Sequence, residues 1–228
     1  MNTIIDICII SVVRPSVLDI TLKSFTEKML TNKNDYRIII NVDPIGENIP
    51  RKHVLKVVNN YFDNVVFNYP SVPGFTKAVK WCWEQTNSKY VFHLEDDWKL
   101  LSDINIQNMI EILNKYDDLA SLRLDKHRTG KSKHSCKYGF IYHPKISLNP
   151  TLFRGDFLRN VAELMDVNLN PEKQLRPSKS PRGQYISKFN NGIYVKDGNK
   201  VVLDIGRTWM NQSDYTKKTG FLNWQRKK

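Results

Sequence analysis

Three carboxylates stand side by side at Glu95-Asp96-Asp97, directly after the apolar run Tyr90–Leu94. Adjacent acids closing a buried strand repel one another, and each loses hydration as the strand is covered. A hard dication with oxygen ligands relieves both costs, and Mg2+ or Mn2+ keeps room in its shell for water and substrate phosphate. The competing reading is a solvated acidic turn. The apolar strand before the triplet and the glycine-led helix before that strand favour the metal.

A second cluster lies at Val201–Trp209, where Asp204, Gly206, Arg207 and Trp209 follow an apolar run. A glycine between an acid and an arginine can place the guanidinium on a diphosphate. A structural ion pair at a turn explains the same residues. His93 alternates into the sheet two residues before the acids and reads as a hydrogen-bonded structural histidine. Trp81, Trp83 and Trp98 read as core or pocket wall.

The elements that must carry these residues follow from hydrophobic periodicity. Thr3–Val13 reads as a buried strand, broken by Arg14-Pro15-Ser16, with Ser16 placed to cap a helix over Val17–Leu30. Tyr36–Val42 is a second strand, stopped by Asp43-Pro44. A helix over Arg51–Phe62 and a strand over Val65–Tyr69 follow. Pro73-Gly74 turns the chain into a helix near Phe75–Thr86, which turns Ala78, Val79, Cys82 and Trp83 inward. Tyr90–Leu94 is the fourth strand. The alternation predicts an α/β Rossmann-like domain with a mainly parallel central sheet. Ligands of such sheets bind at the carboxyl ends of the strands, where Arg14, Asp43 and the acid run all fall.

The second half is less regular. Ile104–Tyr116 reads as a helix, Ala120–Leu124 as a strand, and Phe140–Phe153 as strand pieces interrupted by prolines. Asp156 is placed to cap a helix reaching about Asp166. Asn170–Gly183 reads as a Pro- and Lys/Arg-rich loop. Ile193–Val195 and Val201–Ile205 flank Lys196-Asp197-Gly198-Asn199, a hairpin signal. The tail from Gln212 is basic.

The 228 residues are enough for one sizeable core, and 40% apolar with 11% aromatic residues suits a packed globule. No apolar run approaches the ~20 residues of a membrane span, and the first strand lacks the basic leader and cleavage site of a signal peptide. The expectation is a cytoplasmic protein, host cytoplasm if viral. Cys8, Cys82 and Cys136 are widely spaced and read as reduced thiols. The net charge of +12 is unevenly spread. Residues 1–122 carry −2, 123–145 carry +6, 146–170 carry −1 and 171–228 carry +9. A solvated basic surface accounts for this, and so does a face for a polyanion such as nucleic acid or an anionic lipid surface.

The stretches Pro73-Gly74-Phe75-Thr76-Lys77-Ala78 and Tyr90-Val91-Phe92-His93-Leu94-Glu95-Asp96-Asp97 resemble the core of family-2-type GT-A glycosyltransferases, with their DxD-type acid motif. Ser11-Val12-Val13-Arg14 with Leu22-Lys23-Ser24-Phe25 is similar to that family's first strand and helix, and Asn41-Val42-Asp43 to its second strand. The likeness covers about the first hundred residues. It implies a single GT-A domain over 1–228, with residues 1–100 binding a nucleotide-sugar and 101–228 facing the acceptor. It implies a UDP-sugar co-substrate and Mn2+ or Mg2+. Asp97 would bind the metal, and Glu95 the ribose or the metal through water. Arg14, Asp43, Gly74, Lys77, Asp96 and Arg207 would belong to the donor side. This chain departs from the commonest motif in having Glu first, which puts the Glu95–metal contact in question.

The catalytic base that an inverting transferase needs would be Asp156, Glu172 or Asp204. Asp156 also reads as a helix cap and Glu172 as a solvated loop acid. Ser147-Leu148-Asn149-Pro150 with Arg154 resembles the acceptor-side strand of small phage transferases. A polyanionic acceptor would explain the basic later segments through Arg123, Lys126, Arg128, Lys131, Lys133, Arg176, Lys179 and Arg182. The implied role is that of a phage DNA glycosyltransferase acting on hydroxymethylated pyrimidines, which must flip the target base. Two alternatives remain: a transferase for a surface polysaccharide or lipid-linked glycan, and a non-enzymatic basic nucleic-acid-binding protein.

Overall fold

The computed structural model describes residues 5–126, 139–196, 200–217 and 224–226. Its first half repeats strand and helix: β1 (Ile5–Val13), α1 (Pro15–Lys28), β2 (Tyr36–Gly46), α2 (Lys52–Asn59), β3 (Val65–Asn68), α3 (Phe75–Glu84) and β4 (Tyr90–Glu95). A short strand β5 (Trp98–Leu100), helix α4 (Ile106–Lys115) and strands β6 (Leu119–Leu124), β7 (Phe140–Tyr142) and β8 (Thr151–Arg154) follow. Three helices come next, α5 (Gly155–Glu163), α6 (Pro171–Gln174) and α7 (Pro181–Ile186). The chain closes with β9 (Asn190–Tyr194), β10 (Val202–Asp204), α8 (Gly206–Gln212), β11 (Tyr215–Lys217) and β12 (Trp224–Arg226).

Eight strands form one sheet in the order β3-β2-β1-β4-β8-β6-β9-β7. Six run the same way, and β7 and β8 run against them. The half expected to be irregular therefore supplies four strands of the same sheet. β1 is buried along its whole length because helices cover both faces. Its Ile5, Ile7 and Ile9 join the core under α1, α2 and α4, while Cys8 and Ile10 join the core under α3 and α5. In α1, Leu18, Leu22 and Phe25 recur at helical spacing and are fully buried, each stabilising the layer by about 1.5–3 kcal/mol.

Several local expectations are corrected. Ser16 does not cap α1: Pro15 occupies the first turn, where its missing N–H costs nothing, and Arg14 is the capping position. β2 runs on past Asp43-Pro44 to Gly46, because Val13 and Gly46 close the register with a bulge. The hairpin expected across 196–199 is not formed. β9 lies in the large sheet between β6 and β7, whereas β10 pairs with β5 in a separate two-stranded sheet. Residues 197–199 lie outside the described residues. Asn170–Gly183 contains two short helices, α6 and α7, started by Pro171 and Pro181 and capped by Asn170 and Ser180. Cys8 and Cys82 are buried free thiols, and Cys136 is not described. Among the described residues no helix is long and apolar enough to cross a membrane.

Candidate functional site

The carboxyl ends of β1, β2, β4 and β6 open into one cleft of about 300 Å3, at the lower end of the range for small-molecule sites. Arg14, Asp43, Glu95, Asp96, Asp97, Lys126, Glu172 and Asp204 all line it, with Ile45, Phe75, Trp98, Asn149 and Asn170 between them. The topology brings these together because β1 and β4 are parallel neighbours, so Arg14 and the acid run end at the same sheet edge.

The three adjacent acids have three different environments. Asp96 is turned inward and is 1% exposed. Its Oδ2 accepts from Ser11 Oγ at 2.8 Å, from the Val12 N–H at 3.0 Å and from Arg14 Nε at 3.0 Å. Arg14 Nη2 donates to Asp96 Oδ1 as well and reaches Asp97 Oδ2 at 2.9 Å. The backbone helps, since Thr21 Oγ1 donates to the Asp96 carbonyl at 2.7 Å. Glu95 is half-buried, and Asp97 is 8% exposed. Arg14 is thus the internal counter-charge of the acid run rather than a free donor contact. Burial works against its charge, but the fields of Asp96 and Asp97 overcome that and raise its pKa above the ordinary arginine value.

A lid of chain from the far end covers this pair. Ile205 N–H donates to the Asp97 carbonyl at 2.8 Å, and the Trp209 ring packs on the Arg14 guanidinium at 5.2 Å. Gly206 sits so close that a Cβ there would lie 2.1 Å from Asp97 Oδ2. The Asp204–Gly206–Trp209 cluster is therefore part of the site through packing. Arg207 is not: its side chain is 84% exposed and faces Asp204 at 3.7 Å, and the structural ion pair is what the turn contains.

Asp43 accepts from Asn41 Nδ2 and from the Gly74 N–H, both at 2.9 Å. Gly74 caps α3 without a side chain, so Asp43 of β2 supplies the cap acceptor from outside the helix. Burial raises the Asp43 pKa, and these two hydrogen bonds oppose it. Lys77 is exposed, packs its stem over Gly74 and stays out of the cleft lining.

The three candidate bases separate. Glu172, in the first turn of α6, lines the cleft and accepts from the Leu148 N–H at 3.3 Å. Asp204 also lines it, with Oδ1 taken by the Gly206 N–H at 3.0 Å. Asp156 does not. It caps nothing, because the capping position of α5 is Arg154, and it is exposed. β8 is antiparallel to β4 with Arg154 opposite Tyr90, about 17 Å along the strand from Glu95, so Asp156 in α5 lies beyond that far edge of the sheet.

Among the basic candidates, Lys126 reaches the cleft and stands 6.0 Å over the Trp98 ring. Arg123 is half-buried on β6. Arg182 is committed to the backbone, donating to the Gln174 carbonyl at 3.1 Å and the Leu164 carbonyl at 2.9 Å. Arg176 and Lys179 are exposed and line no part of the cleft. Arg128, Lys131 and Lys133 lie outside the described residues. His93 is the structural histidine expected: Trp83 Nε1 donates to its Nδ1 at 3.2 Å, and burial pushes its pKa down to about 3.

The residues present fit a hard dication. Glu95 and Asp97 offer oxygen ligands on the cleft wall, while Asp96 is spent on Arg14. No group of three His, Cys, Asp or Glu ligands converges among the described residues. A bound Mg2+ or Mn2+ would therefore complete its shell with phosphate oxygens and water. Ser11, Thr21 and Trp209 were not assigned roles around the acids on sequence grounds. Ser11 is legible in the sequence only within the first-strand stretch Ser11-Val12-Val13-Arg14.

This strand order, with acids at the end of β4 and one antiparallel strand beside it, defines a GT-A fold. No family model matches the chain, and no curated protein is similar to it in sequence. Solved structures share the fold. One is TarS of S. aureus, residues 1–349, in complex with UDP: TM-score 0.56, 10% identity, covering 87% of this chain and 59% of that one. The same protein with UDP-GlcNAc gives 0.52 and 12%, covering 87% and 57%. The mannosyltransferase PcManGT of Pyrobaculum calidifontis, in complex with GDP-Man and Mn2+, gives 0.54 and 9%, covering 75% and 50%. The chain spans only about half to three fifths of these proteins.

Proposed function

We propose that this chain is a metal-assisted glycosyltransferase that moves a sugar from a nucleoside diphosphate, UDP by preference, to an acceptor hydroxyl. The observation that carries the reading is the placement of Glu95 and Asp97 on the wall of a cleft at the carboxyl edge of a GT-A sheet. Structures of the same fold hold UDP, UDP-GlcNAc, and GDP-Man with Mn2+.

In this reading Asp97 and Glu95 would hold the dication, which when bound would supply positive charge against the leaving diphosphate. Arg14 keeps Asp96 out of the shell and fixes the direction of the Asp97 carboxylate. Asp43 and Gly74 set the shape of the nucleotide side. Glu172 takes the proton of the acceptor hydroxyl as its oxygen bonds to the sugar's anomeric carbon and the bond to the diphosphate oxygen breaks. Lys126 and Trp98 face the same space. The acceptor we favour is a hydroxymethylated pyrimidine in DNA, on the strength of the charge excess in 123–145 and 171–228.

The test is incubation with a panel of UDP-sugars and hydroxymethylated DNA, with Mn2+ or with chelator, read by nucleoside mass spectrometry. A hexose or pentose adduct that needs metal, and that Asp97→Ala abolishes in a folded protein, is the expected result. Hydrolysis of donor without a DNA adduct would move the acceptor to a polysaccharide or lipid-linked glycan. DNA binding with no turnover of any donor, and no change on Asp97→Ala, would leave only a binding protein.

A further inference from the structure

Arg123 is a half-buried charge that the described residues leave without a direct partner. It is half-buried, yet it makes no hydrogen bond and no ion pair with a described residue. It projects from β6 one residue before Leu124, whose N–H donates to the Pro150 carbonyl at 2.8 Å beside the cleft-lining Asn149. The alternation of β6 sends Leu122 and Leu124 into the α1–α2–α4 core and Arg123 to the opposite face. On that face the 143–149 segment crosses back towards β8, with Ile146 and Leu148 packed in the α3–α5 core.

The segment brings a histidine and a lysine. His143 is half-buried, with its Nδ1 held against the Lys145 backbone N–H at 3.2 Å. Burial lowers its pKa first, and the neighbouring charges of Arg123 and Lys145 lower it further. Arg123 itself is pulled below the usual arginine value by burial, more than Asp125 and Glu172 restore. Those two carboxylates act on it through space, without ion-pair contact. Dehydrating a guanidinium without a partner is costly, and an incoming anion would recover that cost.

We propose that Arg123, with His143 and Lys145, forms a phosphate-binding subsite on the acceptor side of the cleft. It takes a phosphate group borne by the acceptor close to the hydroxyl that receives the sugar. This rests on the transferase reading above, because Glu172, the proton acceptor there, is the cleft residue whose charge Arg123 senses. The guanidinium fork matches phosphate oxygens, the lysine adds charge, and the neutral imidazole adds a hydrogen-bond donor. The acceptor hydroxyl is therefore presented at a fixed distance from a phosphate, which restricts which hydroxyl reacts.

The test is calorimetric titration of the full chain with inorganic phosphate, glycerol phosphate and a short single-stranded oligonucleotide, and separately with UDP and Mn2+. Arg123→Gln is expected to weaken all three phosphate probes about tenfold or more, with Arg123→Lys intermediate and UDP unchanged. Unchanged UDP binding shows that the variants are folded. Loss confined to the oligonucleotide would support the subsite and assign its phosphate to nucleic acid. Loss across all three would support it for a phosphate of any source. Equal affinity of wild type and Arg123→Gln for every phosphate probe, or no binding of any to wild type, would overturn the subsite. Failure of UDP to bind wild type would instead count against the transferase reading, leaving the phosphate titrations to be read by themselves.

Discussion

Replacing Arg14 by methionine isolates the electrostatic logic of the acid run. Arg14 is 3% exposed, Asp96 1% and Asp97 8%. Methionine keeps most of the side-chain volume but removes the 3.0 Å contact to Asp96 and the 2.9 Å contact to Asp97. Asp96 then retains only the Ser11 hydroxyl and the Val12 N–H, two neutral donors for a buried charge. Breaking a buried pair in this way costs about 3–5 kcal/mol, most of it the penalty of an uncompensated carboxylate. In a domain of this size that lowers Tm by roughly 10 °C. Asp96→Asn alone is also destabilising, because the guanidinium loses its closest partner. The double variant removes both charges of that pair, so the two effects are not additive. A coupling of about 2–3 kcal/mol is expected from urea unfolding of the four proteins. If Arg14→Met costs under 1 kcal/mol, or the two losses simply add, Arg14 is not the counter-charge that keeps the acids buried.

Two further outcomes follow from the same geometry. Burial pushes the His93 pKa down to about 3 in the folded chain, against about 6.5 for an exposed histidine, so the unfolded chain takes up the proton first. The His93 contribution to stability is therefore fully present above about 6.5 and is lost at about 1.4 kcal/mol per pH unit as pH drops towards 3; His93→Gln should flatten this slope in urea titrations at pH 4–7, and an unchanged slope would assign it to other groups. Glu172→Gln should lower kcat by about 10²–10⁴-fold with UDP binding intact, while Asp156→Asn stays within about twofold of wild type. A reversed pattern in donor turnover would remove Glu172 from the reaction.

The acid run and its strand were legible without coordinates. So was the β-α-β alternation, because apolar periods of 2 and 3.6 residues and the breaks at Pro15 and Gly74 are local properties of the chain. The same local information placed Arg14, Asp43 and Glu95 at strand ends, and hence at one edge of a parallel sheet. It could not show that Arg14 turns inward onto Asp96, because that depends on β1 and β4 being neighbours, 82 residues apart in sequence. Nor could it separate Glu172 from Asp156. Both open helices, and only the reversed direction of β8 puts Asp156 at the wrong edge. The expected hairpin at 193–205 failed for the same reason: turn residues signal a reversal, but pairing energy with β6, β7 and β5 chose different partners for its two arms. Local sequence settled the strand and helix alternation of the first half. Long-range pairing settled which charges meet, and that is the physical content of the site.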